Sequence, residues 1–120
     1  MRKIVVILVL LVGFAFQGNA QQIKTVALEQ TKGEFTQKSI SLSEGTYVFE
    51  IANNEVGHDV GFVLAPEGKT DEVNHIKNAY VTSLVKNNKK SKTKEVVLTK
   101  GRYVYFCPLN PTPQYSLVVR

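Results

Sequence analysis

The segment Gly101-Arg102-Tyr103-Val104-Tyr105-Phe106-Cys107 is the most informative stretch of this 120-residue chain. It is rich in aromatic and β-branched residues, which favour β-strands. Tyr103 and Tyr105 stand two positions apart, so strand alternation explains them as core and corner residues on one face. The segment ends on Cys107, the only cysteine of the chain. We therefore predict a strand that delivers a thiol to the Pro-rich loop that follows it.

Further short β-type segments, separated by turn residues, lie on both sides of this one. Alternation is clearest where Tyr47, Phe49 and Ile51 share one face of a predicted strand after the turn at Glu44-Gly45. The other predicted strands cover residues 23–28, 39–43, 60–64, 95–98 and 115–119. Six or seven short strands in about 100 residues are typical of an all-β Greek-key β-sandwich.

One segment departs from the β pattern and predicts a single inserted helix. Apolar residues recur there at spacings of three, four and four, which is one face of a helix: Val73, Ile76, Tyr80 and Leu84. Thr70 or Asp71 is expected to cap its start, because a short side-chain oxygen can accept a bond from the free amides there. Parallel βαβ units would need helices between most strands, so the sandwich remains the predicted architecture.

His58 and Cys107 are the residues that could carry metal chemistry. His58 follows the loop 53–57 and opens a predicted strand, while Cys107 closes another. A sandwich can bring these two ends to one pole, and an imidazole with a thiolate suits copper or zinc. Two plainer interpretations remain open. Free cysteine is often a small apolar core residue, and a loop histidine often holds neighbouring backbone by hydrogen bonds.

The segments 53–62 and 101–107 resemble those of the cupredoxins, the blue-copper family of plastocyanin and azurin, and the resemblance extends over residues 22–120. It implies a cupredoxin-like sandwich, one copper ion, His58 as the first imidazole ligand and Cys107 as the thiolate ligand. It also implies one-electron transfer to a redox partner protein.

The ligand loop departs from the family pattern. Asn110 stands where the second ligand histidine would fall, and Gln114 stands about where the weak axial ligand would be. The one other histidine is His75, in the predicted helix, so His75, Asn110 and Gln114 are added to the candidate ligands. Each has a plainer interpretation. Asn110 precedes Pro111 as a turn residue, Gln114 fits a surface amide, and His75 fits a solvated helix position.

Two functional hypotheses follow. The first is a small copper-binding electron carrier that uses His58 and Cys107. The second is a cupredoxin-fold binding or Cu(I)-handling module that has lost the blue-copper centre, which Asn110 favours. We expect no enzyme, because no Ser/His/Asp arrangement, carboxylate pair or phosphate loop stands out. A lysine-rich stretch, residues 86–94, is either a solvated connector or a docking site for an acidic redox partner.

The N-terminus predicts export. Arg2 and Lys3 precede the apolar run 4–16, and Gly18-Asn19-Ala20 supplies the small residues of a signal-peptidase site. We expect residues 1–20 to be a signal peptide and residues 21–120 to be the mature domain, periplasmic or secreted, without a stable membrane anchor. We also expect a monomer.

Removal of Arg2 and Lys3 lowers the 15 basic residues to 13 against 10 acidic ones, so the charge falls from +5 to +3. That mild charge does not indicate a nucleic-acid partner. A single cysteine excludes a disulfide framework within one chain.

Overall fold

The computed structural model describes residues 22–120, and the predicted signal peptide lies outside them. Nine strands form in these residues. They are β1 (Ile23–Thr31), β2 (Glu34–Phe35), β3 (Ser39–Leu42), β4 (Gly45–Asn53), β5 (Val63–Pro66), β6 (Lys90–Lys92), β7 (Val96–Leu98), β8 (Gly101–Phe106) and β9 (Tyr115–Val119).

The strands form two sheets, which confirms the predicted all-β sandwich. In the first sheet the order is β2-β1-β4-β6, and β7 also pairs with β4. In the second sheet the order is β3-β9-β8-β5. β1 pairs with β4 and β3 pairs with β9 in parallel, whereas the remaining pairs are antiparallel. Parallel neighbours need long crossovers, so the chain must pass between the sheets.

Aromatic side chains fill the space between the sheets. The Phe35 ring meets the rings of Phe62, Tyr105 and Tyr115 edge to face, with centroids 6.0, 5.1 and 5.7 Å away. The Tyr105 hydroxyl donates to the Gln37 carbonyl at 2.6 Å. Burial, with a smaller contribution from Tyr115, raises the pKa of Tyr105 to about 12, so this phenol stays neutral in the core. The predicted inward alternation of β4 is confirmed, since Tyr47, Phe49 and Ile51 are buried. In β8, Tyr105 is buried as predicted, whereas Tyr103 is half-buried.

The predicted inserted helix is wrong. Its place is taken by two separate 3-10 turns, Glu72–Asn74 and Lys77–Ala79. Between them Ile76 is extended, and its N–H donates to the Leu64 carbonyl of β5 at 2.9 Å. In a continuous helix that N–H would bond within the helix, to the residue four positions earlier. The edge of β5 competes for the same donor, and this interrupts the helix.

The apolar periodicity of this segment also fails to mark a buried face. Val73 is 81% exposed and Leu84 is 50% exposed. Asp71 precedes the first turn, but its side chain makes no capping hydrogen bond. Within residues 22–120, no helix has the length and apolar character needed to cross a membrane.

Candidate metal centre

Cys107 lies where the sequence predicts it, directly after the last residue of β8, and is fully buried. Its Sγ accepts a hydrogen bond from the N–H of Gly61 at 3.3 Å. Its own N–H donates to Thr112 Oγ1 at 2.9 Å, and the Thr112 N–H donates to its carbonyl at 3.2 Å. We call residues 107–114 the Cys107 loop. The two bonds between Cys107 and Thr112 close its first six residues into a turn.

Strand register explains why Gly61 reaches the thiol. β5 pairs with β8 so that Val63 lies opposite Phe106. One step further along the same register, Phe62 lies opposite Cys107, and Gly61 follows it. Successive N–H groups of an extended chain point to opposite sides. The Val60 N–H accordingly points to the Val85 carbonyl at 3.0 Å, while the Gly61 N–H points to Cys107.

His58 lies three residues before that contact and is exposed. Its Nδ1 is 2.9 Å from the Asp59 carbonyl oxygen. A carbonyl only accepts, so Nδ1 carries the hydrogen in this contact, and in neutral His58 Nε2 keeps its lone pair. Among the hydrogen bonds of residues 22–120, none joins the His58 ring to Cys107.

The loop that carries His58 is held by a buried amide at its start. Asn53 Nδ2 donates to the carbonyls of His58 and Val85 at 2.8 and 3.0 Å. Its Oδ1 accepts from the Val56 N–H at 3.1 Å. Asn53 ends β4 on the buried side of the strand, so the strand phase positions the amide inside the loop. The Asn-rich loop predicted from the sequence is therefore organised by its first asparagine.

Asn110 is buried, with 3% of its surface exposed. Its Nδ2 donates to Gln30 Oε1 at 3.0 Å and to the Thr31 carbonyl at 2.8 Å. Its Oδ1 accepts from the Gly33 N–H at 2.8 Å. Asn110 thus ties the Cys107 loop to the end of β1 and the turn after it. Asn110 lies in a turn, as expected from its position before Pro111, and its amide also bonds this turn to β1.

Gln30 continues the same network and was missed by the sequence analysis. It is fully buried, and its Nε2 donates to the Gly61 carbonyl at 2.7 Å. We call Gln30, Asn110 and Gly61 the amide network. The available signal was strand phase, because Gln30 follows buried Leu28 by two positions and so lies on the inward face of β1. A polar residue at an inward position requires partners, and Asn110 supplies one.

His75 is half-buried, and its two ring nitrogens both have partners. Nε2 is 2.9 Å from the Thr70 carbonyl, and Nδ1 is 2.8 Å from the Tyr80 hydroxyl. Because the carbonyl only accepts, Nε2 carries the hydrogen, and Nδ1 accepts from Tyr80 in neutral His75. The ring also packs edge to face on Phe106, with centroids 6.0 Å apart. Burial, together with Glu72, raises the pKa of Tyr80.

Gln114, the candidate axial ligand, is exposed. Among residues 22–120, no group of three or more His, Cys, Asp or Glu side chains is placed to hold a metal ion.

No protein-family profile matches the chain, and no curated protein matches it either. Solved structures do match. Auracyanin A of Chloroflexus aurantiacus, described as a "blue" copper protein, superposes with a TM-score of 0.67 at 18% identity, over 82% of this chain and 100% of that one. An auracyanin of Roseiflexus castenholzii gives 0.63 at 12% identity, over 83% and 98%. An azurin of Methylomonas sp. strain J gives 0.56 at 16% identity, over 80% and 97%. The chain therefore has the cupredoxin fold.

Auracyanin A is described as a copper protein. The donor set of this chain does not fit a blue-copper centre. Such a centre uses two imidazoles and a thiolate in a trigonal arrangement. Both nitrogens of His75 are engaged. Asn110, which the family resemblance places at the position of the second imidazole, is committed to three hydrogen bonds. The remaining pair is an exposed imidazole, His58, and a fully buried thiol, Cys107.

Proposed function

We propose that this protein is a cupredoxin-fold binding module without a blue-copper centre, and neither an electron carrier nor an enzyme. The observation that carries the proposal is the position of Asn110, buried and with three hydrogen bonds, where the family resemblance expects an imidazole. An amide is also a poor equatorial donor to copper.

Turning Asn110 towards a metal would break those bonds. Gln30 Oε1, the Thr31 carbonyl and the Gly33 N–H would each lose a partner. A buried polar group without a partner costs about 1–3 kcal/mol. The amide network therefore stabilises the loop arrangement in which Asn110 faces Gln30, Thr31 and Gly33.

His75 does not compensate for the missing imidazole. To bind a metal, it would have to release either Tyr80 or the Thr70 carbonyl. That leaves His58 as the one imidazole with an available nitrogen lone pair. One imidazole and one thiolate suit a low-coordinate Cu(I) site better than a trigonal Cu(II) site. A copper-binding experiment must therefore distinguish a protein that handles Cu(I) from a binding module that uses no metal.

The test is a titration of the purified, reduced protein with Cu(II), followed by visible absorption and electron paramagnetic resonance. Cys107→Ser and His58→Ala serve as matched variants, and an azurin loaded in the same way is the positive control. We expect the protein to show no intense thiolate-to-copper band and to match the spectrum of Cys107→Ser.

Two results would contradict the proposal. An intense band that both variants lose would establish the electron-carrier hypothesis. Tight Cu(I) binding in competition with a colorimetric chelator, lost in Cys107→Ser, would establish Cu(I) handling.

A further inference from the structure

An apolar groove lies on the outer side of the Cys107 loop. Its cavity measures about 370 Å³ and is lined chiefly by Phe62, Val63, Tyr80, Leu84, Pro108 and Leu109. Of these residues Phe62 and Val63 are buried, whereas Leu84 and Leu109 are 50% and 49% exposed. Two half-exposed leucines facing one concavity leave apolar surface that a partner could cover.

The floor of this apolar groove is a glycine whose backbone does not require one. Gly61 has no positive φ, unlike Gly57 before it, which has φ +102°. A Cβ at position 61 would lie 3.7 Å from Leu84 Cδ2 and 3.9 Å from Leu109 Cδ1, at ordinary contact distances. A side chain would therefore fit sterically and would fill the floor. The absence of a side chain at Gly61 keeps the groove open.

The apolar groove continues into a basic cleft at Leu84. That cleft, about 190 Å³, is lined by Ser83, Leu84, Lys86, Lys89, Lys90 and Ser91. Residues 81–94 contain five lysines and no acidic residue. The ion pair found in residues 22–120 joins Lys38 to Glu34, so the lysines of the cleft have no carboxylate at ion-pair distance. Their charge is available to a partner.

We propose that the apolar groove and the basic cleft together bind an acidic segment of a partner protein. One large apolar side chain of that segment enters the groove over Gly61, and its carboxylates face Lys86, Lys89 and Lys90. Charge complementarity selects the acidic partner and accelerates its encounter. The concave floor favours an inserted side chain over a flat membrane surface. This inference rests on the proposed function and names the partner class of that binding module.

The experiment titrates the isotopically labelled, metal-free protein in chelator with a capped acidic peptide that carries one central phenylalanine. Amide chemical shifts report the site and the affinity. We expect saturable shifts in residues 61–63, 80–91 and 108–109, and weaker binding at higher ionic strength. A peptide with serine in place of the phenylalanine should bind about tenfold more weakly, as expected when about 1.4 kcal/mol of apolar burial is lost.

Variants of this chain test the two halves of the surface. Gly61→Ala should weaken the phenylalanine peptide without changing the affinity of the serine peptide. The triple variant Lys86→Glu, Lys89→Glu, Lys90→Glu should weaken both by about tenfold or more. The matched control, Lys24→Glu, Lys69→Glu, Lys100→Glu, has the same net charge change and should bind close to the parent protein.

The inference is overturned if the control triple weakens binding as much as the test triple, or if Gly61→Ala has no effect on the phenylalanine peptide. It is also overturned if the peptides do not bind, or if anionic phospholipid vesicles bind through this surface while the peptides do not. The visible spectrum with Cu(II) is read separately. A blue band together with groove-dependent peptide binding would reject the proposed function and leave the docking surface standing.

Discussion

Leu109 and Asn110 are neighbours in the Cys107 loop, and their environments are the reverse of what their polarity suggests. The leucine is 49% exposed on the outer side, and the asparagine is 3% exposed on the inner side. The inner side is fixed because Asn110 exchanges its contacts with water for three hydrogen bonds inside the protein. The outer side keeps apolar surface uncovered. One loop thus combines an inner face that stabilises the fold with an outer face suited to binding.

The largest expected effect lies on the inner side. Asn110→Ala should lower the free energy of unfolding by about 3 kcal/mol, because Gln30 Oε1, the Thr31 carbonyl and the Gly33 N–H each lose their hydrogen bond to Asn110. Chemical denaturation followed by circular dichroism measures the change. Asn78→Ala is the matched control, since Asn78 makes an exposed hydrogen bond to the Glu95 carbonyl. Equal losses in the two variants would show that the buried network has no special role.

A smaller effect is expected from the bond that closes the Cys107 loop. Thr112→Val keeps the shape of the side chain but removes the acceptor of the Cys107 N–H and an exposed donor to the Pro113 carbonyl. We expect a loss of about 1 kcal/mol, the usual net value of one hydrogen bond, because the exposed Pro113 carbonyl can bond to water instead. Thr82→Val, which loses an exposed bond to the Lys92 carbonyl, is the control. If Thr112→Val lowered the free energy of unfolding as much as Asn110→Ala, the Thr112 turn would stabilise the loop as strongly as the buried amide does.

The smallest effect is expected on the outer side. Leu109→Ala should change the free energy of unfolding by less than about 0.5 kcal/mol, as for most surface substitutions. The same denaturation experiment measures it, together with the affinity for the acidic peptide, which should fall. A loss of several kcal/mol would mean that Leu109 belongs to the core and would remove the contrast between the two sides.

Much of the fold could be predicted because strand alternation is a local property. Tyr47, Phe49 and Ile51 lie inward as their spacing indicates, and Cys107 ends a strand as expected. The inserted helix could not be excluded from spacing alone. The competing acceptor of the Ile76 N–H is the Leu64 carbonyl, twelve residues earlier in the chain. A periodic pattern contains no information about such a bond.

The site was predicted less completely than the fold. The sequence analysis singled out Cys107 and Asn110, and both lie buried in the Cys107 loop. The roles of His58, Cys107, Asn110, Gln114 and His75 as metal ligands stay predictions. Gln30 was missed because the predicted strand ended at residue 28, whereas β1 continues to Thr31, and because its partner Asn110 lies 80 residues away.

The sequence by itself determined which residues alternate into a β-sandwich and that Asn110 stands three positions after Cys107, where the family resemblance expects an imidazole. Side-chain type and spacing are sufficient for both, since strand phase and the number of available donor atoms are local. Only the tertiary structure decided what that amide does. The register of β5 with β8 places Gly61 beside Cys107. The packing of the two sheets brings the Cys107 loop to the end of β1, where Asn110 bonds to Gln30. In that arrangement Leu109 stays 49% exposed and lines the apolar groove.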